Sequence, residues 1–212
     1  MGRYDALVDL LIEVAKEGKK AVDSDFIPIG VSNRHVHLSQ NDLESLFGSG
    51  YELTKIKDIS QPGQFACKET VTIAGPRGAI EKVRVLGPTR NQSQVEILKS
   101  DCFKLGINAA MRMSGDLDCT PGITLIGPKK SLFLTQGAIV AKRHIHMLPG
   151  DARRFGVIDG QAVSLKVSGE RGGVLGNVVI RVTTTSALEC HIDTEEANAM
   201  DLKNGSKVTI IK

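Results

Sequence analysis

Four of the five histidines in this 212-residue chain sit in two copies of one short pattern, Arg34-His-Val-His-Leu38 and Arg143-His-Ile-His-Met147. On a β-strand, residues i and i+2 project from the same face, about 7 Å apart at roughly 3.3 Å per residue. His35 and His37 therefore form one pair of imidazoles, and His144 and His146 a second. Val36 and Ile145, between them, face the opposite side and a core. Two imidazoles at that spacing can converge on one divalent cation at about 2.0–2.1 Å each. A single His-x-His often makes only hydrogen bonds, but repetition in the same frame favours metal ligation. His191, in Glu189-Cys-His-Ile-Asp, either completes a three-nitrogen set with an open coordination position or is an ordinary satisfied polar residue.

The stretch Gly87-Pro-Thr-Arg-Asn-Gln-Ser-Gln-Val-Glu96 carries the next candidates. If it is extended from Arg90, then Arg90, Gln92, Gln94 and Glu96 share one face while Val95 and Ile97 enter a core. Glu96 could then bridge two cations and Arg90 could grip an oxyanion through two parallel hydrogen bonds. A solvated strand face with no role accounts for the same pattern equally well. Met113-Ser-Gly-Asp116 reads as a turn whose backbone could line an anion pocket. Cys190 reads as a small buried thiol rather than a nucleophile or ligand. Lys57, Lys82 and Arg84 read as solvated unless the ligand is a polyanion.

The elements that must position these residues are mostly strands. An apolar stripe of Leu7, Leu11 and Val14, widened by Val8, Leu10, Ile12 and Ala15, predicts a helix over 3–17 that ends at Gly18. It would pack on its own subunit or dock on a partner. From Ile27 onward the texture is strand and turn. A hairpin is expected over Val71–Ile80 around Gly75-Pro-Arg-Gly78, with further strands at 82–86, 94–98, 123–126 and 138–142. Short helices are expected at 41–46 and 151–155. Two repeats organise this material. The Arg-His-aliphatic-His motif recurs at an offset of 109, shared by Asp42 with Asp151 and Leu46 with Phe155. At an offset of 45, Ala152, Phe155, Val157, Gly160, Val163 and Leu165 match Ala197, Met200, Leu202, Gly205, Val208 and Ile210. The expected fold is mainly β: two small β-barrel domains related by an internal repeat and capped by short α-helices. The expected boundaries are residues 1–22 for the N-terminal helix and linker, 34–141 for the first barrel, and 23–33 with 142–212 for the second.

The formal net charge is only +3, from 27 basic and 24 acidic residues, and no Lys/Arg-rich block with interleaved aromatics appears. Nucleic acid is therefore not an expected partner. No apolar run is long enough to cross a membrane as a helix, so a membrane is not expected either. The four cysteines form no C-x-x-C pair and no secreted-type framework, which fits a reducing cytoplasm.

From Ile27 to the C-terminus the sequence resembles the PduL family of phosphotransacylases (phosphate propanoyltransferases). The resemblance is carried by Pro28-Ile-Gly-Val-Ser-Asn-Arg-His-Val-His-Leu-Ser39, Gly87–Glu96, Arg112-Met-Ser-Gly-Asp116, Lys142–Met147 and His191-Ile-Asp-Thr-Glu-Glu-Ala-Asn-Ala199. Members of the family interconvert acyl-CoA plus phosphate with acyl phosphate plus CoA. The resemblance implies two β-barrels and two divalent metal ions, zinc in the first instance. It implies His35 and His37 on one ion, His144, His146 and His191 on the other, and Glu96 bridging. It further implies Arg90 on phosphate with Ser114 assisting, Phe103 at the acyl-CoA entrance, and Lys57, Arg84, Leu86 and Asn198 as CoA contacts. A homodimer is implied, and so is housing of some members in bacterial microcompartments through an N-terminal helix and linker. Here the linker, Gly18 to Asp25, is short, which leaves that address and its shell or core partners open.

Direct attack of phosphate on a thioester suits these residues, because they contain no Ser-His-Asp arrangement to carry an acyl group. A metallohydrolase or cupin-like oxygenase would use the same histidines. Cupins, however, place a glutamate three or four residues after His-x-His, where this chain has Gln40 and Asn41. A structural protein braced by metals would be expected to close its sites with four protein ligands. The acyl chain, acetyl or propanoyl, is not fixed by the sequence: one methylene in an apolar pocket is worth about 1–3 kcal/mol.

Overall fold

A computed structural model describes residues 25–211, and the helix expected over 3–17, with its linker, lies outside the described residues. In chain order the elements are β1 (Ile27–Ser32), β2 (His35–His37), α1 (Gln40–Phe47), β3 (Lys55–Asp58), β4 (Phe65–Gly75), β5 (Gly78–Gly87), β6 (Gln94–Glu96), α2 (Asp101–Leu105) and β7 (Ala110–Arg112). There follow β8 (Ile123–Ile126), β9 (Ser131–Leu134), β10 (Ala138–Ala141), β11 (His144–Met147), α3 (Pro149–Phe155), β12 (Ala162–Val167), β13 (Gly173–Val182), β14 (Glu189–Asp193), α4 (Thr194–Ala199) and β15 (Lys207–Ile211). Among the described residues the protein is mainly β with four short helices.

Two sheets result. β1, β14, β11, β13, β12 and β15 close into a six-stranded barrel, and β7-β10-β6-β2-β5-β4-β8-β9, with β3 on β4, form a nine-stranded sheet. The chain passes between them at two places. Only Asn33 and Arg34 separate β1 of the barrel from β2 of the sheet, and Lys142 and Arg143 lead from β10 back to β11. Each crossing immediately precedes a His-x-His pair.

Both sheets follow the period of two. In β12 the apolar Val163, Leu165 and Val167 are buried while Ala162 and Lys166 are exposed, and β4 buries Cys67, Val71 and Ile73. One core gathers around Val36, Leu38, Leu43, Leu46, Ile73 and Val85. The other gathers around Ile29, Ile145, Met147, Leu165, Ile180 and Ile192. Val36 and Ile145 are wholly buried, each side chain being worth about 1.5–3 kcal/mol. That burial clamps the short strands β2 and β11 and turns their histidines to the opposite face.

The offset-45 repeat is a structural one. Val157 N–H donates to Ala152 O (3.0 Å) and Leu202 N–H donates to Ala197 O (2.8 Å). Three residues further on, Gly160 N–H donates to Ile180 O and Gly205 N–H to Ile29 O, both at 2.8 Å. Both glycines adopt left-handed backbone, φ +74° and +80°, which explains why the motif carries glycine there. The expected hairpin is longer than its turn signal indicated, with Pro76-Arg77 joining β4 to β5. The stretch from Arg90 is extended only from Gln94 onward. Asn91 and Gln92 are exposed, so Gln92 does not share the face of Gln94 and Glu96.

Candidate metal centre and active site

β2 pairs antiparallel with β6, placing His35 opposite Glu96 and His37 opposite Gln94. β11 pairs antiparallel with β14, placing His144 opposite His191 and His146 opposite Glu189. Each His-x-His pair therefore acquires a third donor from the neighbouring strand. Two sets result, His35/His37/Glu96 and His144/His146/His191, with donor atoms within 4.8 Å of one another in each.

Backbone carbonyls fix the first ring of each pair. His35 Nδ1 lies 2.8 Å from Asn33 O and His144 Nδ1 lies 2.8 Å from Lys142 O. Each Nδ1–H donates to its carbonyl, so Nε2 is the free donor atom of both rings, an arrangement common behind metal-bound histidine. His144 Nε2 and His146 Nε2 stand 3.1 Å apart, and His35 Nε2 is 3.4 Å from Glu96 Oε2. Two ligand atoms at 2.0–2.1 Å from one tetrahedral ion lie about 3.3 Å apart. The spacing fits a divalent ion in each set. His37 supplies a further sign: Arg90 Nη2 donates to its Nε2 at 2.8 Å, and its Nδ1 is the one buried side-chain N or O among the described residues with no hydrogen-bond partner.

Protonation also suits ligation. Burial, reinforced by the neighbouring histidines, pushes His144 down to about 4 and His146 to about 3, so both rings are neutral at pH 7. Burial and the charges of His35 and Arg90 hold His37 well below its ordinary value. Burial alone would raise Glu96, but His35 and its hydrogen bond hold the carboxylate far below its usual range. His35 runs the other way: burial lowers it, and the Glu96 carboxylate more than offsets this. His144 also helps to depress Glu96, so the carboxylate of the sheet set feels the barrel set.

One cavity of about 550 Å³ contains all of this. Both donor sets line it, as do Arg90, Ser114, Lys57, Arg84 and Leu86. Arg90 Nη1 donates to Ser114 Oγ at 3.0 Å, and Arg90 N–H to Leu38 O at 2.9 Å staples its loop to the end of β2. The Met113–Asp116 turn is present, closed by Asp116 N–H on Met113 O. Arg84 Nη1 donates to Cys67 O and Lys68 O at 2.9 Å each, which anchors the side chain at the cavity wall. Phe103, 79% exposed on α2, and Asn198, exposed on α4, are outside the cavity lining. Cys190 points into the barrel core, where burial drives its thiol far upward; a thiolate there is suppressed.

Among the cavity residues that sequence reasoning passed over are Arg181 and Glu189. Arg181, on β13 opposite His146, is the single charge in the apolar run Val178–Val182, a signal the sequence does carry. Glu189 shares the face of His191 by the same i, i+2 rule.

Comparison with known proteins places the chain in a family. The sequence pattern of the phosphate propanoyltransferase family matches residues 28–203. The chain is 57% identical to a phosphate propanoyltransferase of Thermotoga maritima over 187 residues, covering 88% of this chain and 89% of that one. It is 53% identical to one of Rhodobacter capsulatus over 210 residues, 98% of both chains. It is 45% identical to one of Enterococcus faecalis over the full length of both.

Proposed function

This chain belongs to the phosphate propanoyltransferase family and is an acyltransferase, and we propose that it interconverts short-chain acyl-CoA plus phosphate with acyl phosphate plus CoA at a two-metal centre. Propanoyl-CoA and acetyl-CoA are the proposed acyl donors. The carrying observation is the convergence of two three-donor sets and the Arg90 guanidinium on one cavity.

His35, His37 and Glu96 would hold one divalent ion and His144, His146 and His191 the other, and Glu96 would be the residue shared between them. Bound there, zinc or a similar ion supplies Lewis acidity and offsets negative charge. Arg90, fixed by Ser114 and by the Leu38 carbonyl, orients the phosphate nucleophile. Arg181 adds a second positive charge on the barrel side. Phosphate oxygen forms the new bond to the thioester carbonyl carbon, the carbon–sulfur bond breaks, and the electron pair leaves on CoA sulfur. The phosphate proton passes to the thiolate, giving CoA thiol. Among the described residues no serine hydroxyl of the cavity is hydrogen-bonded to a histidine, Ser60 donating to Glu189 and Ser114 accepting from Arg90, which supports direct attack. Lys57, Arg84 and Leu86, on the cavity wall, are the proposed CoA contacts. The homodimer and the microcompartment address belong to this proposal through the family resemblance alone.

The test is an assay of acyl phosphate formed from propanoyl-CoA and phosphate, run beside simple hydrolysis and combined with metal analysis. Phosphate-dependent acyl phosphate is expected. Phosphate-independent release of free acid points instead to a hydrolase.

A further inference from the structure

We propose that Glu189 is the positioning residue of the three-histidine metal site, and that Ser60, reaching across from the other sheet, holds it in place. The inference rests on the two-metal reading above.

Glu189 Oε2 lies 2.6 Å from His191 Nε2, and His191 Nδ1 makes no hydrogen bond to the described residues. The same carboxylate accepts the hydroxyl of Ser60, which stands in the loop between β3 and β4. Gln61 next to it is buried and grips Ala187 twice, its Nε2 donating to Ala187 O (3.2 Å) and its Oε1 accepting Ala187 N–H (3.3 Å). Against the barrel the fit is close: a Cβ on Gly30 would come within 2.6 Å of the Glu189 carboxyl carbon. A chain of contacts therefore runs from the nine-stranded sheet through Ser60 and Glu189 to His191.

The other donor set has the same construction with donor and acceptor exchanged. Gln94 stands opposite His37 as Glu189 stands opposite His146. Gln94 Nε2 donates to Glu96 Oε1 at 2.6 Å, and its own amide is pinned by Ser114 Oγ and Gly115 N–H. In both sets the residue two positions before the cross-strand ligand orients that ligand. A carboxylate ligand requires a donor behind it and an imidazole requires an acceptor, so glutamine serves one and glutamate the other. Such outer partners set ring orientation and ligand basicity, and their loss lowers metal affinity by about 10–100-fold.

Zinc titration of the metal-stripped full-length protein against a competing chelator tests this, with Glu189→Ala, Glu189→Gln and Ser60→Ala beside wild type. Two equivalents are expected for wild type. In Glu189→Ala one equivalent should weaken by about 10–100-fold while the other stays unchanged, with Glu189→Gln intermediate and Ser60→Ala the mildest. Thermal melts of the metal-free forms separate this selective loss from a general loss of structure. If wild type takes two equivalents and both Glu189→Ala and Ser60→Ala retain wild-type affinities, the inference is overturned and the two-metal reading survives. A wild type that takes up no metal overturns both.

Discussion

Glu96 and His191 occupy the same register position in two different sheets, each directly opposite the first histidine of a His-x-His pair. One motif, used twice, thus yields two chemically unequal donor sets, with a carboxylate completing one and an imidazole the other. Substituting each should separate them. His191→Ala is expected to weaken one zinc equivalent by more than about 100-fold, beyond the effect of an outer partner, whereas Glu96→Ala, at the proposed bridge, should weaken both. Equilibrium dialysis reads this, and simultaneous loss of both equivalents in His191→Ala would show one shared site rather than two.

Arg90 stands where phosphate is proposed to bind. A hydrogen bond to a charged group is worth about 1.5–3 kcal/mol, so Arg90→Ala should lower kcat/KM for phosphate by about 10–150-fold while KM for acyl-CoA changes little. Arg181→Gln should act in the same direction and less severely. Initial rates at varied phosphate decide it; a folded Arg90→Ala enzyme with unchanged phosphate kinetics contradicts the role.

Away from the site, Glu69 ties the first sheet to the loop after α1. Its carboxylate accepts the Tyr51 hydroxyl at 2.9 Å and Thr54 N–H at 3.1 and 3.2 Å. Burial opposes its charge, but these bonds leave it below the usual glutamate range. A depressed carboxylate contributes stability that is complete above its unfolded value of about 4.3 and is lost as pH falls through the folded one. Glu69→Gln, which keeps an acceptor but no charge, should cost about 1 kcal/mol at pH 7. That gap should close on acidification below about pH 4. Urea unfolding across pH measures it, and a pH-independent gap rules the account out.

Gly205 and Gly30 should respond to alanine for different reasons. At Gly205 there is open space, so only left-handed backbone resists, at about 1–2 kcal/mol. At Gly30 the obstacle is the Glu189 carboxylate. Gly205→Ala should therefore lower the melting temperature with metal uptake intact, whereas Gly30→Ala should also weaken zinc binding. Equal zinc affinity in the two variants would contradict the distinction.

Much of this was legible in the sequence because it depended on short periods. His35 with His37, His144 with His146, and the paired glycines 160 and 205 follow from spacings of two and forty-five. Several strands were legible for the same reason, with β8 falling on the expected 123–126. What the spacing could not supply was cross-strand register. Nothing local says that Glu96 lies opposite His35, or that Ser60 reaches Glu189 across 129 positions. The short strands β3, β7, β9 and β14 and the helix α2 were missed because three to five residues carry too little pattern to rise above loop, and the ten-residue strand β13 was missed as well.

The position of β1 constrains when this protein can be assembled on the ribosome. Among the described residues its neighbours in the barrel are β14 and β15, and Ile29 meets Cys190, about 160 residues later in synthesis. At 5–20 residues per second, that partner emerges roughly 10–30 s after β1 does. Through that interval an apolar strand with unpaired edges is available to the wrong partner. His191 arrives with the same late strand, so the proposed three-histidine set stays incomplete until β14 has emerged.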